Sequence, residues 1–352
     1  MATLARLHEQ GFIDLIARLS RRSRVRPIIG IGDDAASLAL PPRSRTLFTT
    51  DLLTEGIHFR SRTTPGLLLG RKALSVNLSD IAAMGGAPHA CVVSVGFPRR
   101  TRAAYAADVA LGLVQQARRF GVTIVGGDTC ASRSLTLSVA LLGLVERGGA
   151  VRRSGARKGD GLFVSGHLGG STAGLALLRR GARLGDGMRL TGLRLTPGLR
   201  RHAAAAVRRH LDPTPRVLFG RALGLTGLAT SMIDLSDGLT PDLQRLCHAS
   251  GAGAIVEEAA IPIDPAARAL MKRRRAIEAA LIGGEDYELL FTARMEHETL
   301  IARVARRLRL PVARIGEILP RRDGIRVLNR EGRYRPLPRG GFEHFRISRP
   351  RH

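Results

Sequence analysis

Acidic residues are scarce in this chain, 29 against 56 basic, and several sit among glycine and small apolar residues instead of on charged faces. Asp33 and Asp34 lie in Gly-Ile-Gly-Asp-Asp-Ala-Ala, Asp51 follows Thr49 and Thr50, Asp80 lies in Asn-Leu-Ser-Asp-Ile-Ala-Ala-Met-Gly-Gly, and Asp128 in Val-Gly-Gly-Asp-Thr. Further on come Asp234 and Asp237 in Ile-Asp-Leu-Ser-Asp-Gly-Leu, then Glu285 and Asp286 in Gly-Gly-Glu-Asp-Tyr-Glu-Leu. Carboxylates in such settings are desolvated, which raises their pKa unless a cation compensates. Hard oxygen donors favour magnesium, which keeps part of its water shell and takes few protein carboxylates beside substrate phosphates. Neighbouring glycines let backbone amides approach phosphate oxygens. The pattern predicts a site for a metal–nucleotide complex. Any one of these acids has an ordinary alternative in an Asp-Gly turn or a helix N-cap, Asp237 before Gly238 and Leu239 above all. Their recurrence in one chain favours the chemical reading. There is no Gly-x4-Gly-Lys-Ser/Thr phosphate loop and no protein-kinase motif set, so nucleotide handling would rest on the acids.

The elements that must position these acids alternate between strand-like and helix-like segments. Residues 46–50 form a short apolar strand ending at Asp51, and 67–84 carries apolar residues at helical spacing up to Gly85-Gly86. The pattern predicts strands at 91–95, 122–125 and 135–145, the second ending at Gly126-Gly127-Asp128, with an amphipathic helix at 103–120. The segment Gly148 to Gly161, rich in Gly and Arg, is the expected link between an N-terminal domain, 1–149, and a C-terminal domain, 150–352. Beyond it, 162–165 predicts a strand entering the glycine-rich turn 166–174 and a helix to Leu178. Then come a strand at 232–235, a helix at 239–249 closed by Gly251, and a strand over 285–292. Both halves are layered, α+β or α/β, with no short-period repeat.

A hydrophobic content of 44% suffices for real cores, and with aromatics at 4% and no Trp the packing must be aliphatic. The net charge of +27 invites a nucleic-acid reading, but the basic residues are scattered and nearly all Arg; the lysines are Lys72, Lys158 and Lys272. Only Lys272 to Arg275 forms a run, and no zinc finger, RNA-binding signature or aromatic interleaving accompanies it. Charge alone speaks to non-specific affinity, so no specific nucleic-acid partner is expected. Cys91, Cys130 and Cys247 form no CxxC and argue against a disulfide framework or a zinc site. Residues 2–22 predict an amphipathic helix interrupted by Glu9, Asp14 and Arg18, not a signal peptide, and no stretch approaches membrane-spanning length. The expected setting is cytoplasmic, with no membrane partner.

The motifs together resemble those of the thiamine-monophosphate kinase family. The resemblance is carried by Gly30 to Ala36, by Thr49-Thr-Asp-Leu-Leu-Thr-Glu-Gly-Ile-His-Phe59 and by Lys72-Ala-Leu-Ser-Val-Asn-Leu-Ser-Asp-Ile-Ala-Ala-Met-Gly85. Gly126-Gly-Asp-Thr129, Arg153-Ser-Gly-Ala156, Ile233 to Leu239, Gly283 to Leu289 and the ending Gly341-Phe-Glu-His-Phe345 add to it. Order and spacing hold from about Gln10 to Phe345. Some motifs are shared with aminoimidazole-ribonucleotide synthetase and selenophosphate synthetase; the His-Phe after Glu-Gly-Ile and the terminal His-Phe favour the thiamine enzymes.

The resemblance implies a two-domain α+β fold, with an N-terminal sheet-and-helix domain that pairs into a dimeric barrel and a C-terminal α/β sandwich-like domain. It implies a homodimer, with ATP and thiamine monophosphate as partners, several magnesium ions, and direct transfer of the γ-phosphate to give thiamine diphosphate. By the family pattern Asp34, Thr49, Thr50, Asp51, Asp80, Asp128, Asp234 and Asp237 hold magnesium. Gly127, Asp128, Arg153 and Ser236 match ATP-contacting positions; His58, Glu285 and Phe342 match positions that contact the thiamine substrate. The acceptor is already a phosphate with a second pKa of about 6, so no catalytic base is expected. A carboxylate and an aromatic face suit a cationic thiazolium. Taken alone, His58 would be a structural histidine, Phe342 a core residue and Arg153 a solvated Arg. Many relatives carry an acid in the turn where this chain has Gly169-Gly170-Ser171. A purine-pathway ribonucleotide synthetase remains the alternative enzyme, and a basic nucleic-acid-binding protein the alternative of another class. The latter predicts loss of the metal carboxylates, and all are present.

Overall fold

Buried and exposed side chains alternate along β1 (Ser44–Thr54), where Leu47, Thr49, Asp51 and Leu53 turn to one face and Phe48, Thr50 and Leu52 to the other. This period of two puts each residue of the Thr-Thr-Asp motif on a defined side of the sheet. The computed structural model describes residues 4–20, 26–31, 35–146, 150–185 and 189–342, with the backbone alone for 4–9. β1 pairs antiparallel with β4 (Thr136–Glu146), β4 with β2 (Ala87–Phe97), and β2 runs parallel to β3 (Thr123–Ala131), giving a four-stranded sheet ordered β1-β4-β2-β3. β3 therefore runs through Gly126-Gly127-Asp128 instead of ending there. Its parallel pairing with β2 holds those glycines extended, opposite Val92 and Val93.

One face of this sheet carries α2 (Gly66–Ala83) and α3 (Ala103–Phe120), and α1 (Leu4–Ser20) packs on α3. α3 spans the predicted residues, and Gly121 closes it in a left-handed cap. The α2–α3 crossing is backbone against backbone: a Cβ at Gly70 would lie 2.1 Å from the Val109 carbonyl oxygen, and one at Gly112 2.0 Å from that of Leu67. α2 is buried on nearly every side, because it also meets the second half of the chain.

That second half is a seven-stranded mixed sheet ordered β13-β12-β9-β11-β5-β10-β8. Its strands are β5 (Gly161–Ser165), β8 (Ser231–Asp234), β9 (Ala252–Glu257), β10 (Leu289–Ala293), β11 (Val312–Pro320), β12 (Ile325–Leu328) and β13 (Tyr334–Pro336); β6 (Arg183–Leu184) and β7 (Leu190–Thr191) make a separate ribbon. Helices α4 (Gly170–Arg179), α5 (Pro197–Leu211), α7 (Leu239–Ser250), α8 (Pro265–Leu270) and α9 (Arg273–Ile282) pack with Leu162, Val164, Ile233 and Leu290 into one core. Phe163, Met232, Leu289 and Phe291 alternate to the other face, where α6 (Val217–Thr226), α10 (Glu298–Arg307) and the core of the first sheet cover them. The large sheet is thus buried on both faces, and α2 of the first half closes one of them against β8.

The expected strand over 285–292 is shorter than predicted. Residues 283–288 are irregular, because Glu285 and Tyr287 have φ of +66° and +50°, outside strand geometry. Likewise α4 begins at Gly170, so the glycine turn spans 166–169. The cysteines are free, Cys91 and Cys247 buried and Cys130 exposed. Among the described residues no helix is long and apolar enough to cross a membrane.

Candidate functional site

The seam between the two sheets gathers acids from three elements. Asp51 comes from β1, Asp80 from the last turn of α2, and Asp234 from the end of β8. Thr49 Oγ1 donates to Asp80 Oδ2, and Ser79 Oγ donates to Asp234 Oδ2 at 2.7 Å. Burial and, to a lesser degree, the nearby Asp80 together raise Asp51 to about 6. Asp234 is raised to about 8 by burial first, then by Asp80, with Asp242 and Asp51 also raising it and the Ser79 hydroxyl opposing. Asp80 is raised by burial against the opposing pull of the Thr49 hydroxyl and the Arg153 charge. The desolvation expected from the sequence is present at these three positions. It also places Arg153 close enough to Asp80 to act on it electrostatically.

Asp237 is held differently. Arg245 Nη1 lies 2.5 Å from both Asp237 Oδ2 and Asp242 Oδ1. Asp237 is not the N-cap of α7; Gly238 occupies that position, and Asp242 Oδ2 accepts from the backbone N–H groups of Asp237 and Gly238 at 3.1 Å each.

The loop after β8 and the loop before β10 are tied by their backbones. Glu285 N donates to the Ser236 carbonyl at 2.7 Å, and Tyr287 N to that of Leu235 at 2.9 Å. This brings Glu285 beside the acid cluster, where Lys72 Nζ lies 2.6 Å from Glu285 Oε1 and His210 Nδ1 3.3 Å from Oε2. Burial favours the neutral form of Glu285, but Lys72, His210 and His58 together hold its carboxyl below the ordinary range. Phe342 joins from the C-terminal side, its N–H donating to the Asp237 carbonyl at 3.3 Å and its ring 6.2 Å from that of His58. His58 Nδ1 accepts from Thr54 N at 3.0 Å. His58, His210 and Glu285 line one cavity of about 290 Å³. The three residues expected on the acceptor side are therefore together. Tyr287 links the two groups. Burial pushes its phenol well above the ordinary value, and Glu285, Asp51, Asp234 and Asp237 push it further.

Other predicted residues stand apart. Thr50 lies on the opposite face of β1 from Thr49, with Oγ1 3.5 Å from Ser138 Oγ. Asp128 opposes Ser94, in the row of that same outer face, whereas Gly127 opposes Val93. Gly127 and Asp128 line a cavity of about 370 Å³ with Phe12, Ile13 and Ile16 of α1 and with Ile31, Ala35 and Ala36. The flanks of the Gly30–Ala36 motif thus meet the Gly-Gly-Asp motif, while Asp33 and Asp34 lie outside the described residues, as do residues 343–345 of the closing motif.

Sequence reasoning missed Lys72, His210 and Tyr287. The signal was available for two of them: Lys72 is one of three lysines among many arginines, and Tyr287 lies inside a quoted motif. His210 carried none. The glycine turn, which lacks an acid here, is held by Asp286, which accepts from Gly169 N at 2.6 Å and Ser171 N at 3.0 Å.

Among the described residues no three His, Cys, Asp or Glu side chains form a group able to hold a metal ion unaided. The donor set still fits a hard divalent cation. Asp234 is buried and Asp51 and Asp80 are half-buried, and Asp80 raises the pKa of the other two, a surplus of negative charge that a cation relieves. Magnesium takes one or two carboxylates and completes its shell with water and phosphate oxygens.

Comparison with known proteins gives a consistent neighbourhood. Residues 32–145 match the AIR synthase related protein N-terminal domain, and 157–329 the C-terminal domain of the same family. Thiamine-monophosphate kinase of Escherichia coli K12 is 35% identical over 338 residues, covering 95% of this chain and 98% of that protein. The crystal structure of thiamine-monophosphate kinase from Stenotrophomonas maltophilia K279a superposes with a TM-score of 0.80 at 35% identity, covering 91% of this chain and 96% of that one. A structure of AaThiL complexed with AMPPCP and TMP superposes with a TM-score of 0.73 at 30% identity, over 98% of this chain and 99% of that one.

Proposed function

The chain belongs to the thiamine-monophosphate kinase family of AIR synthase related proteins, and on that premise we propose that it transfers the γ-phosphate of ATP directly onto thiamine monophosphate, giving thiamine diphosphate, at a site that holds several magnesium ions. The observation that carries this reading is the meeting of Asp51, Asp80 and Asp234 at the seam, beside the group of His58, Glu285 and Phe342. A relative bound to an ATP analogue and TMP supports the pairing of donor and acceptor.

In this reading Asp51, Asp80 and Asp234, aided by Thr49, hold magnesium at the seam, with Asp237 beside them; Thr50 and Asp128, on the outer face of the sheet, and Asp34, outside the described residues, would hold magnesium apart from that cluster. Magnesium, when bound, neutralises charge on the transferring phosphate. Arg153 adds a fixed positive charge near Asp80. Gly127, Asp128 and Ser236 contact ATP, the glycine through a backbone that admits close approach. Glu285 meets the cationic ring of the acceptor, and His58 and Phe342 offer it aromatic faces. An ionised phosphate needs no base to become a nucleophile, so these residues act by alignment and charge neutralisation. Domains of 1–149 and 150–352 supply the two sides of the site, a division supported by family matches that end at 145 and resume at 157.

The outer face of the four-stranded sheet exposes Phe48, Leu52 and Val92. We propose that this face pairs with that of a second copy to close a barrel, a homodimer that covers the apolar row. The reaction is tested with purified protein, ATP, magnesium and a panel of acceptors. Thiamine monophosphate is expected to be the substrate; activity only on formylglycinamidine ribonucleotide would move the chain to a purine-pathway reaction.

A further inference from the structure

We propose that Lys72 and His210 are positioning residues for Glu285, clamping its carboxylate from opposite halves of the chain so that it faces the cationic ring of the acceptor. The inference rests on the reading of Glu285 as the acceptor-side carboxylate and adds to it the residues that make that carboxylate usable.

The cavity that holds Glu285 sets the problem. Arg60, Arg62, Arg179 and Arg183 line it, and Glu285 is the one acid lining it among the described residues. A free glutamate there would swing onto one of these guanidinium groups and be lost to an incoming cation. The structure prevents this by occupying each carboxylate oxygen from behind. Lys72, 1% exposed on α2, reaches Oε1 at 2.6 Å. His210, 4% exposed near the end of α5, has Nδ1 3.3 Å from Oε2. Lys72 does not line the cavity, so it acts on a ligand only through Glu285.

Residue choice fits this role. The chain uses Arg almost everywhere, yet the buried cation here is one of its three lysines. A guanidinium fork would engage both carboxylate oxygens, whereas an ammonium is a point donor that leaves Oε2 to His210. Burial lowers His210 to about 4, with Lys72 adding to the shift, so its ring is neutral at physiological pH. An unprotonated Nδ1 would set its lone pair against the carboxylate; a proton on Nδ1 instead presents a positive N–H edge to Oε2 while hydrogen-bonding Ser171 Oγ. Ser171 Oγ, 3.0 Å from the same nitrogen, fixes the ring from the first turn of α4. The backbone is bent to suit: Glu285 holds a φ of +66°, with its N–H donating to the Ser236 carbonyl. A non-glycine residue in that region persists only where its surroundings impose it.

Steady-state kinetics on the purified full chain test the clamp, with E285Q as the reference. Lys72→Met and His210→Leu are expected to raise KM for thiamine monophosphate at least about tenfold, with KM for ATP within about twofold and kcat within about threefold of wild type. His210→Asn, which restores an N–H near Nδ1, should recover most of the loss. In the E285Q background, K72M should add nothing further, because its effect runs through that carboxylate; this double variant also removes the unpaired buried charge that would threaten folding of K72M alone. Full additivity of K72M and E285Q, or equal rises in KM for both substrates, overturns the clamp. A wild-type protein that phosphorylates thiamine monophosphate, with E285Q unchanged in KM, refutes the placement of Glu285 instead. A wild-type protein that does not use the acceptor refutes the functional reading itself.

Discussion

Ser79 and Asp234 are 155 residues apart in sequence, and the serine hydroxyl donates to the aspartate carboxylate at 2.7 Å. That bond fastens α2 of the first sheet's layer to β8 of the second. It sets the neighbouring Asp80 against Asp234, so charge from both halves of the chain converges where neither could assemble it alone.

Asp80 is the first residue to test. Asp80→Asn keeps the shape and the contact with Thr49 while removing the charge. Turnover is expected to fall more than about 100-fold. The melting temperature of the metal-free protein should hold or rise, because a like-charge repulsion disappears. Wild-type turnover in this variant would remove the acid cluster from the mechanism.

Proton linkage gives a second prediction. Burial raises Asp51 to about 6, Asp286 to about 7 and Asp234 to about 8, from an ordinary value of 3.8. A carboxyl with a raised folded-state pKa contributes its full stability below the unfolded value and loses it as pH rises through the folded one. Metal-free protein should therefore melt at progressively lower temperature from about pH 5 to about pH 8.5. Saturating magnesium should reverse most of that fall if, as proposed, it neutralises Asp51 and Asp234. Scanning calorimetry with and without metal checks both. A melting temperature that rises across the window without metal would contradict the desolvation of these groups.

The α2–α3 crossing supplies a third. Gly112→Ala places a methyl 2.0 Å from the Leu67 carbonyl, so the helices must separate and α2 must shift with Asp80 on it. Destabilisation of about 3 kcal/mol is expected from such overpacking, measured by denaturant unfolding. An unchanged midpoint would mean the crossing is looser than the structure describes.

Much of this was legible in the sequence, and the gaps have physical causes. α3 follows from helical periodicity, a local signal. The candidate metal acids stood out because acids are rare in this chain and these lie among glycines. Residues 285–288 were misread as strand because the positive φ of Glu285 and Tyr287 is imposed by bonds to the loop after β8, which no local pattern encodes. His210 was invisible for the same reason, and Lys72 showed only as a rare lysine: what matters about each is a partner far along the chain. The separation of Thr50 from Thr49 follows from strand alternation, and only knowledge of which face meets α2 could assign the sides.

The charge of +27 makes a fourth prediction. Any DNA or RNA binding should be sequence-independent and weaken steeply with salt, as counterion release dictates. Kinase rates should be unaffected by oligonucleotides. Selective binding that persists at physiological salt would give the arginine excess a function of its own.

The central claim is direct transfer between two phosphates, and one labelling experiment addresses it. Purified protein is incubated with magnesium, ATP labelled at the γ-phosphate and unlabelled thiamine monophosphate, alongside a parallel reaction with free thiamine. The account predicts label in the terminal phosphate of thiamine diphosphate, none in products of free thiamine, and no release of phosphate without an acceptor. Equal phosphorylation of free thiamine, or label appearing only as inorganic phosphate, would contradict it.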